Sequence, residues 1–464
     1  MISRRNFIKT TGLAGVAGIT GVCTQPLQDM GENLKKITVK YVNSDFEREP
    51  LIRPFGFKGI YTKEFWMSAA MMESESGIRH VGLMTQCLAW SDLSVFLEHS
   101  EAAGNMLLHT TLEYALQQIK GTSFTTPIEL QDAILENIHD YGKEITKHDD
   151  LRKTFTLSSL VALDNAAWMV YAQENGFRNF DEMIPAEYRS AISYRHKKVA
   201  HVPLFSYNIP MNEIEDAVEQ GYFFMKIKIG RPGNQEEMLK GDMARIEAIH
   251  KAIGSRETPH TKDGKIPYYF DANGRYEKKE TLQRLLDHAD KVGMLDQIAV
   301  IEEPFPEEAD IDVGDLGVRI AADESAHNAD DVKKRIQMGY GAIALKAAAK
   351  TLSMTLRMAK VAHENNVPCF LADLSCTPIL VDWNKNIAAR IAPLPGLQDM
   401  GLLESNGHQN YVRWNDLVSF HPYPDGGWVT SKDGVFHLDK NFYEKSGGIL
   451  DKSEHYMGLF RDYH

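Results

Sequence analysis

Between residues 196 and 410, the order of hydrophobic and polar positions alternates short apolar runs with longer segments of helical periodicity. Short apolar runs separated by helices are typical of parallel strands joined by crossovers. This part of the chain is therefore predicted to be α/β, a (β/α)7–8 barrel of the TIM type. The predicted strands start near Val202, Phe223, Pro267, Ile298, Arg319, Ala342, Pro368 and Gly401, and the clearest helices are Glu237–Ile253, Lys279–Val292, Ala329–Met338 and Leu352–Asn365.

The segments on either side of this alternation differ from it. Residues 31–195 predict an α+β domain, with strands first and helices after, and residues 411–464 are loop-rich and predicted to fold back on that domain. The barrel itself is assigned to residues 196–410. The predicted N-terminal elements are extended segments at Ile37–Val42, Gly59–Trp66 and Gly77–Leu88 and amphipathic helices at Pro127–Ile145 and Phe155–Asn175.

Residues 1–30 are predicted to be an export signal outside the fold. Arg4-Arg5 precedes a weakly apolar stretch, Thr11–Val22, and this order resembles a twin-arginine signal. The stretch is too short and too weakly hydrophobic for a stable membrane span. The expected location is the periplasm. Cys23 follows a poor lipoprotein box, so lipid anchoring stays open without being favoured.

Composition narrows the class of protein. Among 464 residues, 43% are hydrophobic and 25% charged, as in a soluble globular protein. The net charge of −13 argues against nucleic acid as the partner, because phosphate binding requires a basic surface. The four cysteines form no zinc or redox motif, although a Cys369–Cys376 bridge stays open.

Charged residues close five of the predicted barrel strands. In a parallel barrel the carboxyl ends of all strands meet at one face, so these side chains are expected to converge. Three carboxylates from adjacent strands suit Mg²⁺, with Mn²⁺ as an alternative. Zinc is a poor candidate, because the set contains no histidine or cysteine. In chain order, the residues are Lys226 and Lys228, Asp271, Glu302, Asp323 and Lys346.

The lysines in this series suggest acid–base chemistry. Lys226 and Lys228 are two residues apart on one strand and therefore face the same side. Their repulsion, partial burial and a metal ion are expected to lower a lysine pKa towards the range of a general base. Lys346, four strands further round, lies across the site from them. A substrate carboxylate on the metal would then have a lysine on each face of its α-carbon.

This order of residues resembles the enolase superfamily, and within it the muconate-lactonizing and dipeptide epimerase-like subgroup of the mandelate racemase/muconate lactonizing family. The likeness extends to the helix that contains Asp164 and Trp168, and so covers most of the chain after the signal. The matching motifs are Met225-Lys226-Ile227-Lys228, Phe270-Asp271-Ala272-Asn273-Gly274, Ile301-Glu302-Glu303-Pro304, Ala322-Asp323-Glu324-Ser325 and Ile343-Ala344-Leu345-Lys346.

The resemblance implies metal-assisted removal of the proton α to a carboxylate, giving a magnesium-stabilised enediolate. It assigns Asp271, Glu302 and Asp323 to the metal. It further implies a capping role for residues 31–195, a small carboxylate substrate and a homo-oligomer.

The same resemblance makes Lys228 and Lys346 the opposed acid–base pair, with Lys226 assisting electrostatically. An isomerase, a racemase or epimerase with dipeptides as a candidate substrate, is the first hypothesis. A lyase or cycloisomerase using the same enediolate, and an exported carboxylate-binding protein without turnover, are the alternatives.

Several positions depart from the subgroup pattern. Lys346 is followed by Ala347-Ala348-Ala349-Lys350 where many members have a Gly-Gly pair, and the eighth strand ends in Glu404-Ser405-Asn406 where dipeptide epimerases often have Asp-x-Asp. A similar acidic motif, Asp373-Leu374-Ser375, instead follows the seventh strand. An insertion, Gly254–Lys265, is predicted to be a solvent loop at the bottom of the barrel. Supporting or bland roles are predicted for Glu303, Asn273, Glu324, His327, His363 and His408.

Overall fold

The computed structural model describes residues 34–461 except Gly59 and Asn208. From Lys35 onward the chain forms one compact unit. The predicted signal segment, residues 1–30, lies outside the described residues. Among those described, no helix is both long and apolar enough to cross a membrane.

The N-terminal part contains an antiparallel sheet with the strand order β3-β2-β1-β4. Its two long strands form a hairpin whose register is interrupted between Pro50 and Phe55. The sheet is longer than predicted, because the first strand continues through charged and proline residues that conceal its pattern. The strands are β1 (Ile37–Phe57), β2 (Ile60–Ser74), β3 (Arg79–Gln86) and β4 (Ser123–Phe124).

Helices cover one face of this sheet. The two predicted long helices are present, and the first of them starts at a capping box formed by Thr126 and Glu129 with Pro127 at its first turn. Gly82 allows the second helix to lie against the sheet, since a Cβ there would be 2.0 Å from the carbonyl oxygen of Ala162. The helices are α1 (Leu88–Ser91), α2 (Leu93–Glu98), α3 (Glu101–Ile119), α4 (Pro127–Thr146), α5 (Lys153–Asn175) and α6 (Phe180–Met183), followed by a 3₁₀ segment, Ala186–Ile192.

The second part is the predicted barrel. Its first strand is divided at Pro203 into two pieces: the first pairs with the eighth strand and the second with the second strand, which closes the ring. A proline cannot donate to the strand ladder, which explains the division. The strands in ring order are β5 (Lys198–Val202) with β6 (Leu204–Phe205), β7 (Met225–Lys228), β8 (Tyr268–Asp271), β9 (Ile298–Glu302), β10 (Ile320–Ala322), β11 (Ala342–Leu345), β12 (Cys369–Leu371) and β13 (Gly401–Glu404).

Helices connect the barrel strands on the outside, as the periodicity predicts. The lower interior of the barrel is filled by apolar side chains that include Tyr269, Val300 and Phe370, so the barrel is a packed core rather than a pore. The helices of this part are α7 (Met211–Glu219), α8 (Gln235–Ile253), α9 (Lys279–Lys291), α10 (Ala329–Gln337), α11 (Ala347–Lys350), α12 (Leu352–Glu364), α13 (Pro378–Ala388) and α14 (Gly407–Asn410), with a 3₁₀ turn at Leu295–Gln297.

The C-terminal segment returns to the N-terminal sheet. His455 bonds Glu47 of β1 at 2.9 Å and stacks on Phe420, and the short strand of this segment pairs antiparallel with β5. The predicted capping arrangement, an α+β domain completed by the C-terminal segment over a barrel, is therefore confirmed. The remaining elements are α15 (Trp414–Ser419), β14 (Val435–His437), α16 (Lys440–Lys445), a 3₁₀ turn at Ser446–Gly448, and α17 (Glu454–Gly458).

The structure places the predicted insertion and the thiols. The insertion Gly254–Lys265 is largely exposed, as predicted for a solvent loop, and it is also anchored, because Thr261 pairs with Leu397 and the Lys262 amide donates to the Gly396 carbonyl at 3.0 Å. Cys369 and Cys376 are free and buried, so the bridge that stayed open is not formed.

A buried carboxylate joins the capping domain to the barrel. Asp164 of α5 accepts hydrogen bonds from the backbone amides of Leu352 and Ser353, at 2.9 and 3.2 Å, and from the Ser353 hydroxyl at 2.5 Å. These amides lie in the first turn of α12, where backbone donors lack intrahelical partners. Asp164 thus caps α12, the second helix after β11.

We predict that Asp164→Ala lowers the stability of the folded protein by about 2–3 kcal/mol, because three buried donors lose their acceptor. Asp164→Asn keeps one acceptor oxygen and is expected to lose less. Thermal unfolding followed by circular dichroism measures both. Equal midpoints for Asp164→Ala and wild type would show that the cap does not stabilise the fold.

Candidate active site at the mouth of the barrel

The six charged residues singled out from the sequence lie together at the carboxyl ends of the barrel strands. Each is at most 5% exposed. Strand direction explains the convergence, since each residue closes or directly follows its strand. Five of them, all except Glu302, line one cavity of about 30 Å³ together with side chains of the capping domain.

Lys226 and Lys228 both face this cavity and share one carboxylate. The Lys226 ammonium lies 3.0 Å from Asp271 Oδ2, 2.8 Å from Glu302 Oε1 and 3.1 Å from Glu404 Oε2. Lys228 Nζ lies 2.5 Å from both Asp271 Oδ2 and Asn273 Oδ1. Asp271 is therefore held by the two lysines of the second strand.

Asp323 is surrounded by a second set of cations. Lys346 Nζ lies 2.5 Å from its Oδ2, and Lys350 Nζ lies 3.3 Å from its Oδ1 and 2.7 Å from its carbonyl oxygen. Trp90 of the capping domain donates its indole N–H to Asp323 Oδ2 at 3.4 Å, and its ring packs on Lys346 with the ammonium 4.2 Å from the centroid. The capping domain thus reaches the acidic centre directly.

Three carboxylates form the tightest acidic cluster among the described residues. Oxygens of Glu302, Asp323 and Glu324 lie within 4.8 Å of one another. Two of these residues belong to the predicted metal set, whereas Asp271 is turned towards its lysines. Glu324, predicted to play only a supporting role, joins the cluster in its place.

The donor set of this cluster fits a hard divalent cation. Glu324 Oε2 is buried without a hydrogen-bond partner, and so is Glu303 Oε1 next to it. Burial, together with the charges of Asp271 and Asp323, raises the pKa of Glu302 well above its usual value against the pull of Lys226. Mg²⁺ and Mn²⁺ prefer oxygen ligands, and either ion would compensate the local excess of negative charge.

Carboxylate contacts oppose the expected lowering of the pKa at Lys226, one of the two lysines for which it was predicted. Burial alone would lower the pKa of Lys226, but the attraction of Asp271, Glu302 and Glu404 raises it well above its usual value. For Lys346, burial is likewise outweighed, chiefly by Asp323. The sequence argument counted the repulsion between lysines and did not include the carboxylate of Glu404.

The same contacts with lysines lower the pKa values of the paired carboxylates. Burial favours the neutral form of Asp271, yet Lys226 and Lys228 hold its pKa well below the usual range. Lys346 and Lys350 do the same for Asp323. Both carboxylates are therefore ionised, and available as ligands, throughout the neutral pH range.

A tyrosine fixes one of the cluster carboxylates from below. Tyr269, fully buried and two residues before Asp271 on β8, donates its hydroxyl to Glu302 Oε2. The Lys226 ammonium lies 5.2 Å from the centroid of the same ring. Both oxygens of Glu302 thus have a neighbour that sets their direction. The sequence alone did not indicate this role, because Tyr269 lies inside an apolar run.

Two further acids line the cavity at the seventh and eighth strands. Asp373 accepts hydrogen bonds from the amides of Cys376 and Asn406, at 3.0 and 2.9 Å, and Glu404 accepts one from the Asn406 side chain at 3.0 Å. Burial and the nearby Glu404 raise the pKa of Asp373. Glu404 could have been identified from the sequence, since it closes the run Gly401-Leu402-Leu403 as the other site residues close theirs.

The capping domain supplies the apolar wall of the cavity. Phe55 and Phe57, from the β1–β2 hairpin, and Phe65 line it beside Cys87 and Trp90. None of the residues lining the cavity is a histidine. His327 is 3.4 Å from Glu307, outside the lining, in agreement with its predicted bland role.

Comparisons with known proteins agree with this architecture. Residues 211–430 match the family described as enolase C-terminal domain-like. A comparison with curated protein sequences gives no match.

Solved structures of low sequence identity share the fold over most of the chain. A dipeptide epimerase from Enterococcus faecalis V583, complexed with Mg and L-Leu-L-Tyr, is 17% identical with a TM-score of 0.56, covering 79% of this chain and 90% of the other. A dipeptide epimerase from Cytophaga hutchinsonii, complexed with Mg and D-Ala-L-Val, is 16% identical with a TM-score of 0.59, covering 86% and 93%.

A third structure extends the likeness to the wider family. The mandelate racemase/muconate lactonizing protein from Herpetosiphon aurantiacus is 15% identical with a TM-score of 0.58, covering 87% of this chain and 96% of the other. The barrel agrees with the family match, and the capping domain with the coverage of these structures. Residues 211–430 therefore belong to the enolase C-terminal domain-like family, and the chain shares the fold of these enolase-superfamily structures.

Proposed function

We propose that the protein is a metal-dependent racemase or epimerase that moves the proton α to a substrate carboxylate. The observation that carries the proposal is the placement of two buried lysines around one cavity. Lys228 ends the second strand and Lys346 follows the sixth, so three strands lie between them in either direction around the ring of eight and they face each other across the barrel mouth. The carboxylate cluster lies at the same mouth.

The chemistry follows from these positions. Glu302, Asp323 and either Asp271 or Glu324 would hold the divalent cation, and Mg²⁺ is the ion proposed. When bound, the cation stabilises the negative charge that develops on a substrate carboxylate.

The lysines carry the proton. One, as a neutral amine, takes the α-proton while the electron pair of the C–H bond moves towards the carboxylate. The other, as an ammonium, returns a proton to the opposite face. Lys226 adds a fixed positive charge beside the carboxylate, and the aromatic residues of the capping domain exclude water.

The two acids at the seventh and eighth strands favour a substrate that carries a positive group. Asp373 and Glu404 are each at most 5% exposed and line the side of the cavity next to Lys226. Since their hydrogen bonds fix them in place, they form a rigid negative wall. A dipeptide with a free amino group is the substrate proposed, which matches what the two epimerase structures contain.

We predict that Tyr269→Phe weakens Mn²⁺ binding about 10- to 100-fold, because the hydroxyl that holds Glu302 is lost. Isothermal titration with Mn²⁺ measures the affinity without requiring turnover. Tyr268→Phe is the matched control: it is the next residue of the same strand, also buried, and its hydroxyl bonds His250 instead. Equal affinities for the two variants would exclude a role of Tyr269 in the cation site.

We predict that the wild-type protein exchanges the α-proton of a dipeptide for deuterium in D₂O and yields the inverted isomer. Lys228→Ala and Lys346→Ala should each slow inversion by about 10²- to 10⁴-fold, as expected for removal of a general acid or base. Lys251→Ala, an exposed lysine of α8, should react like wild type.

The same NMR experiment separates the alternatives. An elimination or lactonization product without the inverted isomer would replace the epimerase proposal by a lyase or cycloisomerase. Metal-dependent binding of dipeptides with no exchange in wild type would point to a binding protein without turnover.

We predict that N-acetylation of a dipeptide substrate lowers kcat/KM at least about tenfold, because the ammonium group that Asp373 and Glu404 attract is neutralised. The free and acetylated forms of one dipeptide are compared by polarimetry. If both forms react equally well, the substrate does not require an amino group at this wall.

We further propose that the protein acts in the periplasm, a proposal that rests on the pattern around Arg4-Arg5. Replacing both arginines by lysine is expected to retain the protein in the cytoplasm, as cell fractionation would show. Unchanged export of this variant would contradict a twin-arginine route.

A further inference from the structure

A cavity much larger than that of the active site lies at the opposite end of the barrel. Its volume is about 280 Å³, against about 30 Å³ for the cavity at the mouth. It is lined by residues at the starts of barrel strands, among them Phe224, Pro267, Ile298 and Arg319. The proposed reaction makes no use of it.

The insertion between the second and third strands forms one wall of this cavity. Thr261, Lys262 and Lys265 line it on one side, and Gly396 and Leu397 face them from the loop before the eighth strand. The Lys262 amide donates to the Gly396 carbonyl at 3.0 Å. The insertion is thus fixed across the barrel bottom.

Further bonds anchor both ends of this wall. The Gln398 side chain donates to the Thr261 carbonyl at 2.9 Å, and Gln297 donates to the carbonyls of Ile266 and Gly254, at 3.0 and 3.3 Å. The cavity is therefore a defined feature of the fold and does not depend on a loose loop.

The charges around the cavity favour an anion. Three cationic side chains line it, Arg319, Lys262 and Lys265, against two carboxylates, Asp263 and Asp296. This excess of positive charge occurs in a chain whose net charge is −13. None of the three cations forms an ion pair with any residue of the described chain.

Arg319 is the central group. Its guanidinium is partly buried and donates a single hydrogen bond, from Nη1 to the Ala299 carbonyl at 3.2 Å. Burial lowers its pKa, and no carboxylate offsets this effect. An arginine presents five donors in a planar fork that matches a carboxylate or phosphate, so most of its donors remain available.

We propose that this bottom cavity is a binding site for a small organic anion with an apolar body, whose carboxylate or phosphate pairs with Arg319. The apolar part would pack on Phe224, Ile298 and Leu397, which are each at most 9% exposed. The wall thus combines charged groups that can fix an anionic head group with apolar side chains that can bury the rest of an organic ligand. The site is independent of the metal and of the proposed epimerase reaction.

The test is isothermal titration of the full-length protein with four probes of similar shape: benzoate, phenyl phosphate, benzyl alcohol and benzylamine. A chelator is present throughout, which removes metal-dependent binding at the barrel mouth. Benzoate, phenyl phosphate or both should bind at least about tenfold more tightly than benzyl alcohol, and benzylamine should bind most weakly. The preferred anion identifies the head group.

Two variants locate the binding. Arg319→Met should weaken anion binding at least about tenfold, whereas Asp296→Asn, which removes a repelling carboxylate, should strengthen it. Arg284→Met, an arginine on the outer face of α9 that does not line the cavity, should leave it unchanged.

The proposal is overturned if the four probes bind alike, if benzylamine binds best, or if Asp296→Asn leaves anion binding unchanged. These outcomes do not require Arg319→Met to fold. Loss of epimerase activity with intact anion binding would refute the proposed function alone, so the two failures are distinguishable.

Discussion

The structure depends on keeping a dense set of opposite charges buried at one end of an apolar barrel. Four lysines and seven carboxylates meet there, each at most 5% exposed: Lys226, Lys228, Lys346, Lys350, Asp271, Glu302, Glu303, Asp323, Glu324, Asp373 and Glu404. At an effective dielectric constant of 20, two unit charges 4 Å apart interact by about 4 kcal/mol, so no member can be removed without effect on the others. Carboxylates outnumber lysines by three, and a divalent cation would offset most of that difference.

The capping domain is part of this arrangement and more than a cover. Trp90 touches both Asp323 and Lys346, and Asp164 bonds the first turn of α12. Arg152, at the start of α5, donates to the Trp90 carbonyl at 3.2 Å and to Glu307 of the barrel at 2.5 Å. These contacts connect the position of Lys346 to the docking of the N-terminal domain.

The sequence was sufficient for the barrel strands and for the residues that end them, because an apolar run closed by one charge is a local pattern whose geometry the parallel barrel dictates. The hydrogen bond from Tyr269 to Glu302 and the contact of Trp90 with Asp323 were not predictable, since each joins chain segments that are far apart in the sequence. Lys350 and Glu404 fall between these cases. The sequence marks both positions, since Lys350 comes four residues after Lys346 and Glu404 ends β13. The fold, however, decides that Lys350 bonds Asp323 and that Glu404 bonds Lys226.

The central claim is that the acidic cluster between the opposed lysines is a divalent cation site. Anomalous scattering from crystals grown with Mn²⁺ tests it most directly. The account predicts one strong peak within bonding distance of Glu302 and Asp323, between Lys228 and Lys346. A map with no peak there, or with the ammonium groups still bridging these carboxylates at full Mn²⁺ saturation, would contradict it.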